Sequence, residues 1–537
     1  MKTKIHVFTL LAFIAGSFMS ASCDKKTEDL SVKAITVAPA SLTLKPGESR
    51  QLEITFFPEN AANKNVRWES AASETVSVSG TGEVTAHKLG NATITATSDD
   101  TGEQAKATVT VNANDPVTFG AKSGQAVAVQ GVWKKYTVVN IAGQVYVPAG
   151  QSLSIEEGVE VIVSADAQDG NNTKIEFIVE GNLYCYGTEE APVTFTVPAG
   201  NRDNKTDGRH WGGIIGAGSC AEILLDHVLV EYTGAITTQA SPSVVKGLFK
   251  PEGGEGMVAF NTNNPAGKYV ITNTTFRYTG EDAIYVQGGE CIFANNLFYA
   301  VGNEGGEAIN VKAGCKVDAA FNLMYSPNTN AFKLSNSGIG GNRFQAQVNA
   351  YNNTIINAGW RRDPGKPKGG SVWAEGGLVN VFNNIIVNCM FGAKAPNFGE
   401  GGDEGVVQES VIDYNFYASG TVESQVPQHQ QNGTKTAYDG FKDGVKDVVY
   451  GQHNVRGNAP GDNDPKFVSF PFLTNPVGDF NYIQTWNFHL QAASPALDAS
   501  KVRTGFTPYF SAAGLTLNGK TYNSPLPANY FGAFGQQ

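Results

Sequence analysis

Apolar positions follow two different patterns along the chain. Between residues 33 and 112 they alternate with period two in short runs: Ile35–Val37, Leu42–Leu44, Leu52–Phe56, Val66–Trp68, Val76–Val78, Ala92–Ala96 and Ala107–Val111. Turn signals at Pro46-Gly47, Gly80-Thr81-Gly82 and Asp99–Gly102 separate these runs at roughly ten-residue intervals, the spacing of an antiparallel sandwich. From Val270 to Ala418 one phrase keeps returning instead: NTTFRY at 273–278, NNLFYA at 295–300, FNLMYS at 321–326, NNTIIN at 352–357, NNIIVN at 383–388 and YNFYAS at 414–419. Each copy sets a polar or amide residue before alternating apolar side chains. Its second position falls on Thr274, Asn296, Asn322, Asn353, Asn384 and Asn415, giving steps of 22, 26, 31, 31 and 31 residues. A repeat of that length, with one strand signal per copy and no helical stripe, predicts a β-solenoid whose coils bury a shared core. The recurring Asn suits a corner that takes left-handed backbone angles, and its amide can bond up and down the stack. The pattern places Leu297, Leu323, Ile385 and Phe416 inside that stack.

Composition adds that the chain is folded and all-β. It has 537 residues, 41% hydrophobic and 10% aromatic, with 61 Gly to supply tight turns. The net charge is −11, and removing a leader that contains Lys2 and Lys4 makes it two units more negative. A field of that sign repels nucleic acid, so no nucleic-acid partner is expected. The six Cys are Cys23, Cys185, Cys220, Cys291, Cys315 and Cys389. None has metal-ligand spacing, so the five beyond Cys23 are expected to pack inertly between coils.

Residues 1–22 carry Lys2 and Lys4, an apolar run from Val7 to Met19, and small residues up to Cys23. The run is the length of a signal h-region and too short to span a bilayer. The SASC ending resembles a lipobox, which implies lipidation of Cys23 and a membrane partner through that anchor. Residues 23–32 read as a polar tether, and its acidic residues resemble the export signal of Bacteroidetes surface lipoproteins. That resemblance implies the outer membrane and its outer face.

Residues 33–112 resemble the bacterial Ig-like domain, group 2. The resemblance is carried by ITVAPASLTLKPGESRQLEITFFPENAANKNVRWES, SVSGTGEVTAHKLGNATITATS and the closing ATVTV. Such domains are usually stalks, and Trp68 is expected in the core. After Ala113–Pro116, residues 117–537 form the second domain. The phrases VVNIAGQVYVPAGQSLSIEEGVEVIVS, FIVEGNLYCYGTEEAPVTFT and HWGGIIGAGSCAEILLDHVLVEYTG resemble the opening coils of right-handed parallel β-helix proteins of the pectate-lyase-like superfamily. DPKFV, NFHLQAASPALDAS and NYFGAF resemble its closing coils. Three insertions interrupt the stack, at Ala235–Lys268, Trp360–Ser371 and Gly420–Asp462, and long loops of this kind are usually functional.

The superfamily resemblance implies two kinds of chemistry. The hydrolase branch uses paired acids on neighbouring coils, and Asp282 and Glu307 stand 25 residues apart, about one coil. Stacked carboxyls suit a retaining pair or a raised pKa, and equally suit turn capping, which the missing Gly-His-Gly and Arg-Ile-Lys companions favour. The lyase branch needs calcium-binding carboxylates and a base. Asp403-Glu404 and Asp462–Asp464 supply acids but lie in Gly-rich loops, so no cofactor is required and calcium is the only one the acids allow. The strongest binding candidate is the WRRDPGKPK insertion with Trp360, Arg361 and Arg362, followed by Trp373. Aromatic faces stack on sugars, and Arg forks grip carboxylate or sulfate. The alternative is a loop folded onto its neighbours, with its cations solvated.

The sequence therefore predicts an all-β chain: an Ig-like sandwich followed by a right-handed parallel β-helix. The expected role is a surface lipoprotein that binds polysaccharide or host matrix glycan. The alternative is a polysaccharide lyase or glycoside hydrolase, disfavoured because no complete catalytic motif is present.

Overall fold

The computed structural model describes residues 29–537 apart from 167, 169–171, 205–207, 252–256, 304, 362–369, 391, 394–408, 421–427, 432–433, 438–448, 451, 458–460 and 476–477. The leader, Cys23, Arg362, Asp403 and Glu404 thus lie outside the described residues. The chain separates into two compact units, Met1–Asn112 and Ala113–Gln537.

In the first unit, a four-stranded sheet joins Ser41–Leu44, Gln104–Val111, Gly90–Ser98 and Val66–Ser70. A three-stranded sheet joins Ser49–Gln51, Glu83–Ala86 and Val76–Val78, and Ala34–Ala38 pairs with Glu53–Phe57. Alternate residues of these strands, among them Leu44, Val84, Ile94 and Val109, meet in one core, with half-buried Trp68 against it.

In the second unit, each coil visits three parallel sheets in turn. We call them sheets 1, 2 and 3, and among the described residues they hold twelve, nine and eleven strands. Sheet 1 runs from Val117–Phe119 to Val455–Arg456, sheet 2 from Val127–Ala128 to Val372–Glu375, and sheet 3 from Gly131–Trp133 to Val449–Tyr450. This is a parallel β-helix, and its first coil precedes the phrase at Val138. The register is continuous. Phe276, Phe298, Met324, Ile355, Ile386 and Tyr417 stack as one inward column of sheet 1. The five described Cys are free and buried; burial pushes the thiols of Cys315 and Cys389 up to about 12, which makes them poor nucleophiles.

The corner between sheets 3 and 1 divides two jobs that the sequence pattern had given to one residue. The left-handed angle falls on the first position of each phrase: Asn273, Asn295, Phe321, Asn352, Asn383 and Tyr414 have φ between 50° and 58°. The second position builds the ladder. Asn353 Nδ2 donates to Asn384 Oδ1 at 2.9 Å, Asn384 Nδ2 donates to Asn415 Oδ1 at 2.9 Å, and each also donates to a carbonyl of the preceding coil's sheet 3 strand. The same pattern links Asn296, Asn322 and Asn353.

Two further expectations are corrected. Leu297, Leu323, Ile385 and Phe416 are one residue out of phase with the inward column and face outward. The last three are nonetheless buried, because residues 467–534 pack over that face with Phe467, Phe472, Phe488, Leu490 and Phe531. The closing phrases are therefore not coils: Phe467–Ser469 pairs antiparallel with Asn487–Leu490, and the tail folds back across sheets 1 and 3. The first insertion is also shorter than expected, since Phe260–Thr262 is a regular strand of sheet 2. Before it, Pro242–Val245 forms a single helical turn, and Met257 and Val258 pack over Ile178 and Ile215 on the outside of that sheet.

Candidate functional site

The turns leading from sheet 1 into sheet 2 bring the sequence-selected acids together. Strands Ile284–Val286 and Ile309–Val311 pair with Ile284 opposite Ile309, so Asp282 and Glu307, each two residues earlier, stack on successive coils. Each is only 6% exposed. Asp282 Oδ1 accepts the backbone N–H of Gly306 at 3.2 Å and of Glu307 at 2.8 Å. Its Oδ2 accepts Asn310 Nδ2 at 2.8 Å, and Asn330, one coil further on, donates to Glu307 Oε1 at 3.2 Å. Burial first, and the facing Glu307 carboxyl second, push Asp282 well above the usual carboxylate range. The Asp282 carboxyl is consequently biased toward its neutral form. The arrangement caps the turn of the following coil.

Lys312 lies beside this pair. It is 7% exposed, with its Nζ 5.3 Å from the Tyr285 ring centre. Burial, then the neighbouring Lys333, lower its amine to about 8, while Asp282, Glu307 and Glu375 oppose that shift. The outer surface of sheet 2 continues the theme. Tyr285, Asn310, Lys333 and Trp373 occupy one register position on four successive coils. At coil spacing the column spans roughly 14 Å. The indole of Trp373 donates to Glu375 on the same strand.

Trp360 and Arg361 sit elsewhere on the turn and are engaged by the coils. Trp360 Nε1 donates to the Asn388 carbonyl at 2.6 Å. The Arg361 guanidinium donates to the carbonyls of Ser326 at 3.0 Å, Gly302 at 2.9 Å and Val301, with its carbon 5.8 Å from the Phe480 ring centre. These two residues thus staple three coils, while Trp373 belongs to the sheet 2 column. Tyr285, Lys312 and Lys333 were not singled out from sequence; their signal is the register they share with Trp373, which needs the strand pairing to be seen. Among the described residues no group of three or more His, Cys, Asp or Glu converges as metal ligands. Asp464 instead accepts the backbone N–H of Lys466 at 2.8 Å.

Residues 31–109 match the bacterial Ig-like domain (group 2). Over 82 residues the chain is 38% identical to an α-L-arabinofuranosidase of Bifidobacterium longum, covering 15% of this chain and 8% of that protein. Over 83 residues it is 35% identical to a kappa-carrageenase of Pseudoalteromonas carrageenovora, covering 16% of this chain and 21% of that protein. The chain thus spans less than a quarter of either relative's length. A solved Ig-like-domain-containing GH10 xylanase from termite gut is 19% identical with a TM-score of 0.11, covering 19% of this chain and 30% of that one.

Proposed function

We propose that this chain is a glycan-binding surface protein in which the Ig-like unit serves as a stalk and the β-helix holds the ligand. The observation that carries the reading is the outer column of sheet 2, where Tyr285 and Trp373 bracket Asn310 and Lys333 on adjacent coils. Aromatic side chains at a fixed spacing along a rigid surface offer faces for sugar rings, and the Lys333 amine between them offers a donor for hydroxyl or acidic substituents. Two relatives that share a short segment are carbohydrate-active by their names, which agrees in substrate class. Attachment through a lipid on Cys23, and placement on the outer membrane facing outward, belong to the same proposal and rest on the leader and the SASC ending.

The test is binding of the full chain to a panel of neutral and acidic polysaccharides, comparing wild type with Trp373→Ala and Tyr285→Ala. Affinity should fall at least about tenfold in the double variant. Unchanged affinity, or no binding to any polysaccharide, would overturn the reading.

One observation favours a catalytic alternative: the stacked Asp282–Glu307 pair, with Asp282 held above its ordinary range, and the lowered Lys312 amine border the same column. Chain cleavage abolished by Asp282→Asn or Glu307→Gln at unchanged melting temperature would establish a hydrolase or lyase instead.

A further inference from the structure

A second site lies on sheet 1, where the tail stops covering the coils. A cavity of about 280 Å³ opens there between the solenoid surface and Gln484. Its floor is made by Leu229, Thr275 and Leu297, outward residues at one register position on three successive coils. One wall carries Arg277 and Tyr299, the opposite corner carries His227, and exposed Glu189 stands at the rim.

The bonding of Tyr299 shows what the wall offers. Its hydroxyl oxygen accepts Arg277 Nη1 at 2.7 Å and Gln484 Nε2 at 3.3 Å. With Arg277 donating to that oxygen, the phenolic proton points away from the guanidinium, toward Gln484 and the cavity that both residues line. Tyr299 is 2% exposed, and Tyr482 stacks on its ring at 4.8 Å, so the hydroxyl cannot swing out to bulk solvent. Arg277 spends Nε on Glu231 at 2.6 Å and Nη1 on Tyr299, which leaves Nη2 beyond these bonds. His227 meets Asp226 through Nδ1 at 2.8 Å, which leaves Nε2 on the other side of the ring. The site is thus rich in donors above an apolar floor.

Charge decides the ligand class. The Arg277 cation is matched by Glu231, and His227 by Asp226, so neither wall holds an unbalanced positive charge. The Glu189 carboxylate at the rim repels anions. The volume falls below the usual range for drug-sized ligands, which suits a single ring. We infer that this cavity binds one neutral pyranose or furanose unit, its apolar face on Leu229 and Leu297 and its ring or hydroxyl oxygens accepting from Tyr299 and Arg277.

The site is independent of the sheet 2 column, and the test keeps the two apart. Full-length protein is offered methyl glycosides of neutral hexoses and pentoses, with methyl glucuronoside as the anionic arm, and binding is followed by saturation-transfer NMR. At least one neutral glycoside should bind. Tyr299→Phe keeps the ring and removes the proton, and should weaken that binding about three- to tenfold. Thr275→Trp fills the floor from an outward position and should abolish it. All of these are measured in a Trp373→Ala background, so that sugar held at the sheet 2 column does not contribute. Absence of binding by every neutral glycoside, binding by the glucuronoside alone, or indifference to both Tyr299→Phe and Thr275→Trp would each overturn the assignment.

Discussion

Asp282 accepts the backbone N–H of Glu307 at 2.8 Å from the coil below, while the two carboxyls lie against each other in the same buried turn. The acid that caps the next coil therefore also raises the cost of ionising its neighbour. A carboxyl held above its ordinary pKa by folding stabilises the native state fully below that ordinary value, and the stabilisation is lost as pH rises through the folded pKa. Melting temperature should accordingly decline as pH rises above the usual carboxylate range.

Asp282→Asn isolates this effect. The amide oxygen can still accept Gly306 and Glu307, its nitrogen can donate to Glu307, and Asn310 can flip to present its Oδ1, which is otherwise without a hydrogen-bond partner. The variant should lose the alkaline decline and melt at or above wild type near pH 8. A melting profile parallel to wild type across pH 5–9 would show that Asp282 is not the group whose ionisation weakens the fold.

How far the sequence revealed this molecule depends on which contacts are local to a coil. The ladder was legible because every coil repeats the same corner, so Asn353 and Asn384 recur in step. The stacking of Asp282 on Glu307 followed from a spacing of one coil. The parity of Leu323 and Ile385 was not legible, because both sides of those strands are apolar: one side packs in the solenoid, the other beneath Phe467 and Phe488. Alternation cannot say which side is which when both are buried. The same ambiguity made the tail look like coils, since a strand folded back on a sheet alternates like one stacked on it. Tyr285 and Lys333 were missed because only strand pairing, not spacing in sequence, aligns them with Trp373.

The ladder gives the next prediction. Asn384→Ala takes away the oxygen to which the Asn353 N–H and side-chain amide both donate in a buried corner, and should cost about 1–3 kcal/mol. Asn384→Asp should cost more, since it loses both donors and sets a carboxylate beside the Ala350 carbonyl and Asn415 Oδ1. Chemical denaturation that ranks Asp as the milder change would contradict the donor assignment.

Attachment of the tail turns on Asp318. This outward residue of sheet 3 is buried, and it accepts Phe510 N–H at 2.9 Å, Ser524 Oγ at 2.7 Å and Asn349 Nδ2 at 2.7 Å, with Tyr509 N–H at 3.3 Å. Asp318→Ala strands those donors and should cost about 2–4 kcal/mol. The loss should be local: limited proteolysis should cut within residues 500–525 before the coils open. Cleavage beginning in the coils would mean the tail is held by its apolar contacts alone.

Glu176 supplies a pH response of known direction at a different place. Its carboxyl is buried under the first insertion, where Ser243 donates its N–H to Oε2 at 2.7 Å and its hydroxyl to Oε1 at 2.9 Å. Burial raises the group to about 7, against the lowering effect of those serine bonds. Because the folded value lies above the ordinary one of 4.5, the linked stabilisation is complete below about pH 4.5 and disappears as pH climbs through 7. A shift of that size corresponds to something on the order of 3 kcal/mol. The insertion is held in part by this carboxyl, so it should loosen as the group ionises. Amide exchange in residues 243–249, corrected for intrinsic rate, should be faster at pH 8.5 than at pH 6. Glu176→Gln keeps the shape without the charge and should flatten that difference, whereas equal pH dependence in both proteins would place the ionisation elsewhere.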